Sequence, residues 1–231
     1  MAESATKQYQ LMELPARQLL DKFGAGSHKP GSGSAAALMG ILSGRLIATV
    51  CKLSLEKPKY KQRHKELRFL VENIEAHIEP SLYGLFQRDA EIFDAVIKSR
   101  RDRLAAKSDD DKRACRREEL KHLREATDIP IKIGELCLAL IDNAVFTFDF
   151  GFQSARGDSG AAVSAAIAGV TAAAFVIHLN LKSFGPSLWR EQMFAQCQEM
   201  LAKLDDKQAN AFTRLTKLSE EEIKNMDLDL A

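Results

Sequence analysis

Two stretches of this sequence consist almost entirely of small and apolar residues, and each follows a loop rich in glycine and serine. The first, residues 27–60, contains the loop Pro30-Gly31-Ser32-Gly33-Ser34. Proline and glycine do not continue a regular helix there, so Ser32 or Ser34 is expected to cap a helix that ends near residue 55. The second stretch, residues 151–181, is expected to contain a helix that is capped by Asp158.

Each of these predicted helices has one face that carries few side-chain atoms, because small residues recur at i, i+4 spacing. Glycine inside a helix costs about 1 kcal/mol relative to alanine, so another backbone is expected to approach closely in compensation. The two helices are therefore predicted to pack against each other or against the same helices of a second copy in a homodimer. The residues concerned are Ala36, Gly40, Gly44 and Ala48 in the first helix and Gly160, Ser164, Ala168 and Ala172 in the second.

The apolar residues of the remaining chain also follow helical rather than alternating spacing. Helix starts are predicted at Pro15, Ser108 and Ser187, and kinks or breaks at Pro80 and Pro130. Since no stretch shows the pattern of a strand, the sequence predicts an all-α bundle of six or seven helices. It is expected to form a single domain over residues 1–231, with fraying at residues 1–8 and 219–231.

Charge and cysteine content narrow the class of protein. The formal net charge is +1, and the arginine clusters are interleaved with acidic residues, so no nucleic-acid partner is expected. The four cysteines are scattered without a C-x-x-C pair, which is typical of free thiols in a reducing cytosol. The first ten residues lack the basic and then apolar layout of a signal peptide, so a cytoplasmic location is expected.

One segment has the length of a membrane-spanning helix. Residues 159–181 are nearly uncharged, and small residues at every fourth position also occur where transmembrane helices pack. Alanine and glycine predominate there, however, and they provide little free energy for transfer into lipid. A helix buried inside a soluble protein is therefore the preferred prediction, and no membrane partner is expected.

The two loop–helix units resemble those of the cyclodeaminase/cyclohydrolase family, which includes the C-terminal domain of formiminotransferase-cyclodeaminase and methenyltetrahydrofolate cyclohydrolases. The family's PGGGS-type loop corresponds to residues 30–34, and its LTxGKKKY-type segment to residues 53–60. Asp89 and Phe93 match a D-x-x-x-F motif. The second loop corresponds to residues 157–162, and the INL-type end of the second helix to residues 178–181. The order and spacing of these motifs extend over nearly the whole chain.

The sequence departs from the family pattern within the loops. Ser32 stands where the family has a glycine, and Gly157 where it has a serine. The asparagine of the second loop is missing, with Gln153 and Ser154 nearby. A divergent member with an altered substrate and a member without activity therefore stay open as alternatives.

The resemblance implies an enzyme of one-carbon metabolism that acts on a tetrahydrofolate derivative. The first hypothesis is hydrolysis of 5,10-methenyltetrahydrofolate to 10-formyltetrahydrofolate, with neither a metal nor an organic cofactor. The methenyl bridge is a delocalised amidinium cation, so the reaction needs a base for water and a proton for the departing nitrogen. The alternatives are a formiminotetrahydrofolate cyclodeaminase, which releases ammonia, a relative acting on another amidine-like substrate, and a non-catalytic homologue that binds folate or a protein.

Two carboxylates are the candidates for catalysis. Asp158 lies at the predicted start of the second helix, where it can act as a cap, as a catalytic group or as both. Asp89 lies on an otherwise apolar stripe, where burial would raise its pKa, unless it is paired with an arginine such as Arg45. We expect both Gly/Ser loops to meet in one cleft. The predicted substrate-binding residues are Pro30, Gly31, Ser32, Gly33, Ser34, Lys52, Lys59, Tyr60, Gly157 and Ser159, of which Lys52, Lys59 and Tyr60 are candidates for contact with the carboxylate tail.

Overall fold

The computed structural model describes residues 11–221, and within this range all regular structure is helical. The predicted all-α architecture is confirmed for these residues. A wide π-type turn at Ile74–Ile78 leads into the fourth helix, and short 3₁₀ turns occur at Leu11–Glu13, Pro58–Arg63 and Gln153–Ala155. The helices are α1 (Ala16–Phe23), α2 (Ser32–Leu55), α3 (His64–Asn73), α4 (Glu79–Ala105), α5 (Asp109–Phe150), α6 (Arg156–Leu181) and α7 (Leu188–Glu220).

Most of the predicted helix boundaries agree with the structure. Ser108 and Ser187 cap α5 and α7, where their hydroxyl oxygens accept hydrogen bonds from backbone N–H groups three residues later (3.1 and 3.3 Å). Pro15 directly precedes α1. Residues 219 and 220 belong to α7, and the fraying predicted for residues 219–221 stays a prediction. The fraying predicted for residues 1–8 and 222–231 lies outside the described residues.

Helices α2 and α6 lie side by side in opposite directions at the centre of the fold. Near the end of α2, the Ser54 hydroxyl accepts a hydrogen bond from the backbone N–H of Phe152, just before α6 (2.8 Å). Further along α6, a Cβ added to Gly169 would be 3.2 Å from the carbonyl oxygen of Ala36 in α2. The predicted contact between the two small-residue helices is therefore confirmed, and Gly169 is the position that permits it.

The faces that meet in this contact differ from the predicted ones. Gly40 and Gly44 of α2 are covered by side chains and not by a backbone, since an added Cβ would be 2.9 Å from Cys137 Sγ and 3.3 Å from Ile74 Cγ2 respectively. The predicted bare face of α6 is half-buried or exposed, so it does not form the contact with α2, and the alternative of contact with a second copy stays a prediction. The buried side of α6 instead includes Ala162, Ala166, Gly169, Ala173 and Ile177.

Helix α5 continues through Pro130, so the predicted alternative of a new helix start there is wrong. A proline inside a helix leaves the carbonyl oxygen four residues earlier without its N–H partner. That oxygen belongs to Ala126, and it accepts a hydrogen bond from Asn180 Nδ2 at the end of α6 (2.8 Å). The side chain of Asn180 thus replaces the missing bond and is fixed between α6 and α5.

Two helical segments are long and apolar enough to cross a membrane by length and composition, namely Ser32–Leu55 and Gln153–Leu181. In the fold, 61% and 50% of their apolar windows are buried against other parts of the protein. Burial in the core is therefore a sufficient physical reason for their composition.

Candidate active site

A carboxylate from α4 binds the first turn of α2. Gly31 occupies the N-cap position and makes no side-chain hydrogen bond, so the prediction of a Ser32 or Ser34 cap is wrong. Asp89 Oδ2 instead accepts hydrogen bonds from the backbone N–H of Ser34 (2.7 Å) and from the Ser34 hydroxyl (2.9 Å). The D-x-x-x-F motif and the Pro/Gly/Ser loop, which are far apart in sequence, therefore form one structural unit.

Gly33 provides the space for this carboxylate. A Cβ added to Gly33 would overlap Asp89 Oδ1, so no other residue fits here without a shift. While Oδ2 is held by Ser34, Oδ1 makes no hydrogen bond with the residues that the structure describes. Oδ1 is therefore the carboxylate oxygen that a ligand can approach.

The environment of Asp89 agrees with one of the two predicted possibilities. The residue is 7% exposed, and this burial raises the pKa of its carboxyl group, although the hydrogen bonds from Ser34 oppose the shift. The predicted pairing with Arg45 is wrong, because Arg45 forms an ion pair with the buried carboxylate of Glu79. Asp89 is thus a buried acid without a cationic partner among the described residues.

Asp89 lines a cavity of about 260 Å³ between the start of α2, the middle of α4 and the end of α6. Three of the family motifs contribute to its walls: the loop residues Gly31, Ser32 and Gly33, then Asp89 with Phe93, and finally Asn180. Pro30 and Ser34 flank the same loop. The other lining residues are Arg100, Ala126, Val176, Leu179 and Ser183.

The remaining predicted site residues lie together near the opposite end of α2 and α6. The Tyr60 hydroxyl accepts a hydrogen bond from the backbone N–H of Gln153, just before α6 (3.1 Å). Lys52 is exposed and forms an ion pair with Glu75 (2.6 Å), and Lys59 is also exposed. Gly157 lines a second cavity, of about 290 Å³, between the start of α6 and the end of α7.

Asp158 and Ser159 belong to the first turn of α6. Ala155 occupies the N-cap position, so the prediction that Asp158 caps this helix is wrong. An acidic residue in the first turn still interacts favourably with the helix dipole. The Ser159 hydroxyl is buried and lies 3.0 Å from Thr147 Oγ1. About 35 Å of helix separates Gly157 from Asn180. The predicted common cleft is therefore not formed within one chain.

Two lining residues of the Asp89 cavity were not among the predicted site residues. Arg100 follows Asp89 by eleven residues, close to three helical turns, which places both on one face of α4. Asn180 was noted only as part of a family motif. The sequence signal for its position is Pro130, which frees the carbonyl group that Asn180 binds. Among residues 11–221, no group of three or more His, Cys, Asp or Glu side chains is arranged to hold a metal ion.

Comparison with known proteins assigns the chain to a family. Residues 15–199 match the family model of formiminotransferase-cyclodeaminase, so the chain belongs to this family and the resemblance drawn from the motifs is confirmed. A methenyltetrahydrofolate cyclohydrolase from Methylorubrum extorquens is 30% identical over 185 residues, which are 80% of this chain and 87% of that protein.

Other relatives match at lower identity. The formimidoyltransferase-cyclodeaminase of Sus scrofa is 24% identical over 93% of this chain, which spans only 39% of that longer protein. The crystal structure of formiminotetrahydrofolate cyclodeaminase from Thermotoga maritima superposes with a TM-score of 0.78 at 20% identity. The superposition covers 90% of this chain and 99% of the other, and it shows that the two share their fold.

Proposed function

We propose that this protein hydrolyses 5,10-methenyltetrahydrofolate to 10-formyltetrahydrofolate in one-carbon metabolism. The observation that carries the proposal is the buried Asp89 carboxylate, which faces a cavity with one oxygen free of protein hydrogen bonds. The similarity to a methenyltetrahydrofolate cyclohydrolase over 87% of that protein supports the same reaction.

The charge of Asp89 suits the substrate. The methenyl bridge is an amidinium cation, and a carboxylate in a site that excludes bulk water interacts with a cation far more strongly than in solution. Burial raises the pKa of Asp89 in the free protein, whereas the cationic substrate favours the ionised form. Binding of the substrate would therefore stabilise the carboxylate form that the reaction needs.

Asp89 can serve as both base and acid in this reaction. Water adds to the bridge carbon while Oδ1 accepts its proton. As the bond from carbon to N5 breaks, Asp89 returns its proton to N5, a second water molecule takes the hydroxyl proton of the adduct, and N10 keeps the formyl group. The Ser34 hydroxyl lies 2.9 Å from Asp89 Oδ2 and 3.2 Å from the Phe86 carbonyl oxygen, so it can donate to the ionised carboxylate and turn away when Asp89 is protonated.

The second candidate function is cyclodeamination of formiminotetrahydrofolate, which the mammalian and bacterial cyclodeaminase relatives favour. In that reaction the ring nitrogen attacks the formimino carbon and ammonia leaves after protonation, so the same carboxylate would act. For either reaction we expect no metal or organic cofactor, because proton transfer and charge stabilisation are sufficient. The four cysteines are all unpaired, which supports the proposed cytoplasmic location.

We also propose that the active form is a homodimer in which a second copy completes the cavity. A volume of about 260 Å³ lies below the range of about 300–1,000 Å³ of complete small-molecule sites. Two large apolar side chains are exposed on the outer faces of α2 and α6. Leu42 (54% exposed) lies near the middle of α2, and Phe175 (68% exposed) lies toward the Asp89 end of α6. These are apolar side chains that a second copy could cover.

The antiparallel arrangement of α2 and α6 gives this dimer a functional consequence. A two-fold axis perpendicular to both helices places the end of one copy beside the opposite end of the other. The partner subunit's Asp158, Gly157, Lys52, Lys59 and Tyr60 would then lie near Pro30–Ser34 and Asp89. The common cleft predicted from the sequence would be formed between subunits.

The purified protein and the absorbance of the methenyl group test the proposed reaction. We expect the absorbance of 5,10-methenyltetrahydrofolate to fall faster with the protein than in buffer alone. Ammonia release from formiminotetrahydrofolate, without acceleration of methenyl hydrolysis, would instead establish the cyclodeaminase. If neither reaction is accelerated and folates bind without turnover, the chain is a non-catalytic homologue and the proposal is wrong.

A further inference from the structure

Three arginines surround one buried carboxylate beside the Asp89 cavity. Glu119 is 1% exposed, and Arg100 Nε and Arg116 Nη1 lie 2.8 and 3.0 Å from its Oε1. Arg103 Nε lies 3.3 Å from the other oxygen. Burial opposes ionisation of Glu119, but hydrogen bonds from Arg100 and Arg116 lower its pKa below the ordinary value. The cluster therefore holds three positive charges and one negative charge.

This cluster carries more positive charge than its buried carboxylate requires. Each of the three arginine side chains is about one third exposed, between 34% and 38%, so none is confined to the interior. Arg100 binds Glu119 through Nε, and its two terminal nitrogens make no hydrogen bond with residues 11–221. Arg116 donates to the backbone carbonyl of Ser183, which lines the cavity together with Arg100. The excess charge is thus located at the wall of the cavity.

Asp89 and Arg100 lie at two ends of the cavity. Both are on the same face of α4, and the eleven residues from 89 to 100 span about 16 Å along the helix axis. Phe93 lies between them on α4, and Val176 and Leu179 of α6 line the same space. The cavity therefore has a carboxylate at one end, an apolar middle and a positively charged rim at the other end.

We propose that the Arg100–Arg103–Arg116 cluster binds the carboxylate tail of the substrate. This inference rests on the proposed function, because a methenylated folate has a cationic bridge, an aromatic spacer and a glutamate carboxylate tail in that order. The bridge lies at Asp89, the aminobenzoyl ring beside Phe93, and the tail at Arg100 and Arg116, whose planar N–H groups match carboxylate oxygens. Within one chain the tail is then bound here and not by Lys52 or Lys59, which lie at the opposite end of α2.

The experiment compares 5,10-methenyltetrahydrofolate with the methenyltetrahydropteroate that lacks the glutamate. We expect the unchanged protein to have a lower KM for the compound with the tail. Arg100→Gln is expected to raise the KM for that compound about tenfold, the effect of one charge-assisted hydrogen bond at a partly exposed site, and so to remove most of the difference between the two compounds. Arg101→Gln is the matched control, because Arg101 is exposed on the same helix and loses the same charge.

The outcomes separate this inference from the proposed function. If Arg100→Gln raises both KM values equally, or neither, the tail is not bound at the cluster. If Arg100→Gln does not fold, Arg100→Lys replaces it, because lysine keeps the positive charge and the ion pair with Glu119. Its KM for the compound with the tail is expected to lie between the two KM values of the unchanged protein. If the protein hydrolyses neither compound, the proposed function fails. In that case the tail site is tested by the unfolding temperature of the protein. This temperature should rise more with p-aminobenzoylglutamate than with p-aminobenzoate, and Arg100→Gln should remove the difference. Any other result means that the inference fails as well.

Discussion

Gly33 controls the position of the carboxylate on which the proposed reaction depends. The absence of its side chain creates the space that Asp89 Oδ1 occupies, and the next residue, Ser34, binds the other oxygen. Two adjacent residues thus provide the room and the hydrogen bonds for one acid. A methyl group at position 33 would displace Asp89 from Ser34.

Gly33→Ala is therefore expected to lower the free energy of unfolding by about 1–3 kcal/mol, the usual effect of an added methyl group in a filled space. Turnover should fall as well, because the carboxylate moves. Gly84→Ala is the matched control, since Gly84 also lies in a helix but has no atom within 4 Å of an added Cβ. That variant should gain about 0.4–1 kcal/mol. Urea unfolding measures the free energy of unfolding of both variants. Equal changes in this free energy at positions 33 and 84 would contradict the assigned role of Gly33.

The sequence predicts part of the Asp89 environment but not its partner. An acid on an apolar stripe indicates burial and a raised pKa, and both are confirmed. Whether Ser34 or Arg45 is the partner of Asp89 depends on how α2 is aligned with α4. Because these helices are antiparallel, Ser34 lies opposite Asp89 and Arg45 opposite Glu79. Eleven residues, or about 16 Å of helix, separate Arg45 from Ser34, so it cannot reach Asp89.

At the level of helices, Asp89 connects α4 to the N-terminus of α2. The backbone N–H of Ser34 is among the first groups of α2, which have no partner inside the helix. A carboxylate that binds such a group is favoured by the hydrogen bond and the helix dipole, but its burial opposes the negative charge. The raised pKa of Asp89 indicates that burial has the larger effect.

This balance predicts how the stability of the protein changes with pH. A carboxyl group whose pKa is higher in the folded than in the unfolded state stabilises the fold below its ordinary pKa of about 4, and this contribution is lost as pH rises through the folded-state pKa. Relative to Asp89→Asn, the unchanged protein should therefore lose free energy of unfolding as pH rises above about 4. Denaturant unfolding of both proteins across this range measures the difference. A gain with rising pH would show that the Ser34 hydrogen bonds outweigh burial.

Local signals predict most helices but fail where an end is fixed by tertiary contacts. Ser108 and Ser187 lie in well-separated loops and cap as predicted. Asp158 does not, because the 3₁₀ turn Gln153–Ala155 leads directly into α6 and places the N-cap at Ala155, three residues before Asp158. Pro130 does not end α5, because Asn180 from another helix satisfies the carbonyl group that the proline leaves free.

At the level of the whole molecule, the predicted site residues form two groups at opposite ends of α2 and α6. Composition and spacing identify both groups, but the sequence does not show that the two helices run antiparallel. The notion of a single cleft therefore fails within one chain. In the proposed homodimer, each site combines the Asp89 end of one subunit with the Asp158 end of its partner.

Mixing two inactive variants tests this arrangement. Asp89→Asn and Asp158→Asn are each expected to lose most of their turnover, and each impairs a different end of the site. If the variants are unfolded and refolded together in equal amounts, half of the dimers should contain one of each. One of the two sites in such a dimer is intact, so about a quarter of the original activity should return. No recovery, from mixed dimers isolated by a different affinity tag on each variant, would contradict a site shared between subunits.

The most direct test of the proposed function is the initial rate of methenyl hydrolysis by Asp89→Asn. The amide keeps the size of the side chain and a hydrogen-bond acceptor for Ser34, but it cannot take a proton from water. Loss of an acid–base group is expected to reduce turnover by about 10²–10⁴-fold, with helical content unchanged by circular dichroism. If this folded variant hydrolyses 5,10-methenyltetrahydrofolate at nearly the original rate, Asp89 is not the catalytic acid and base and the proposed mechanism is wrong.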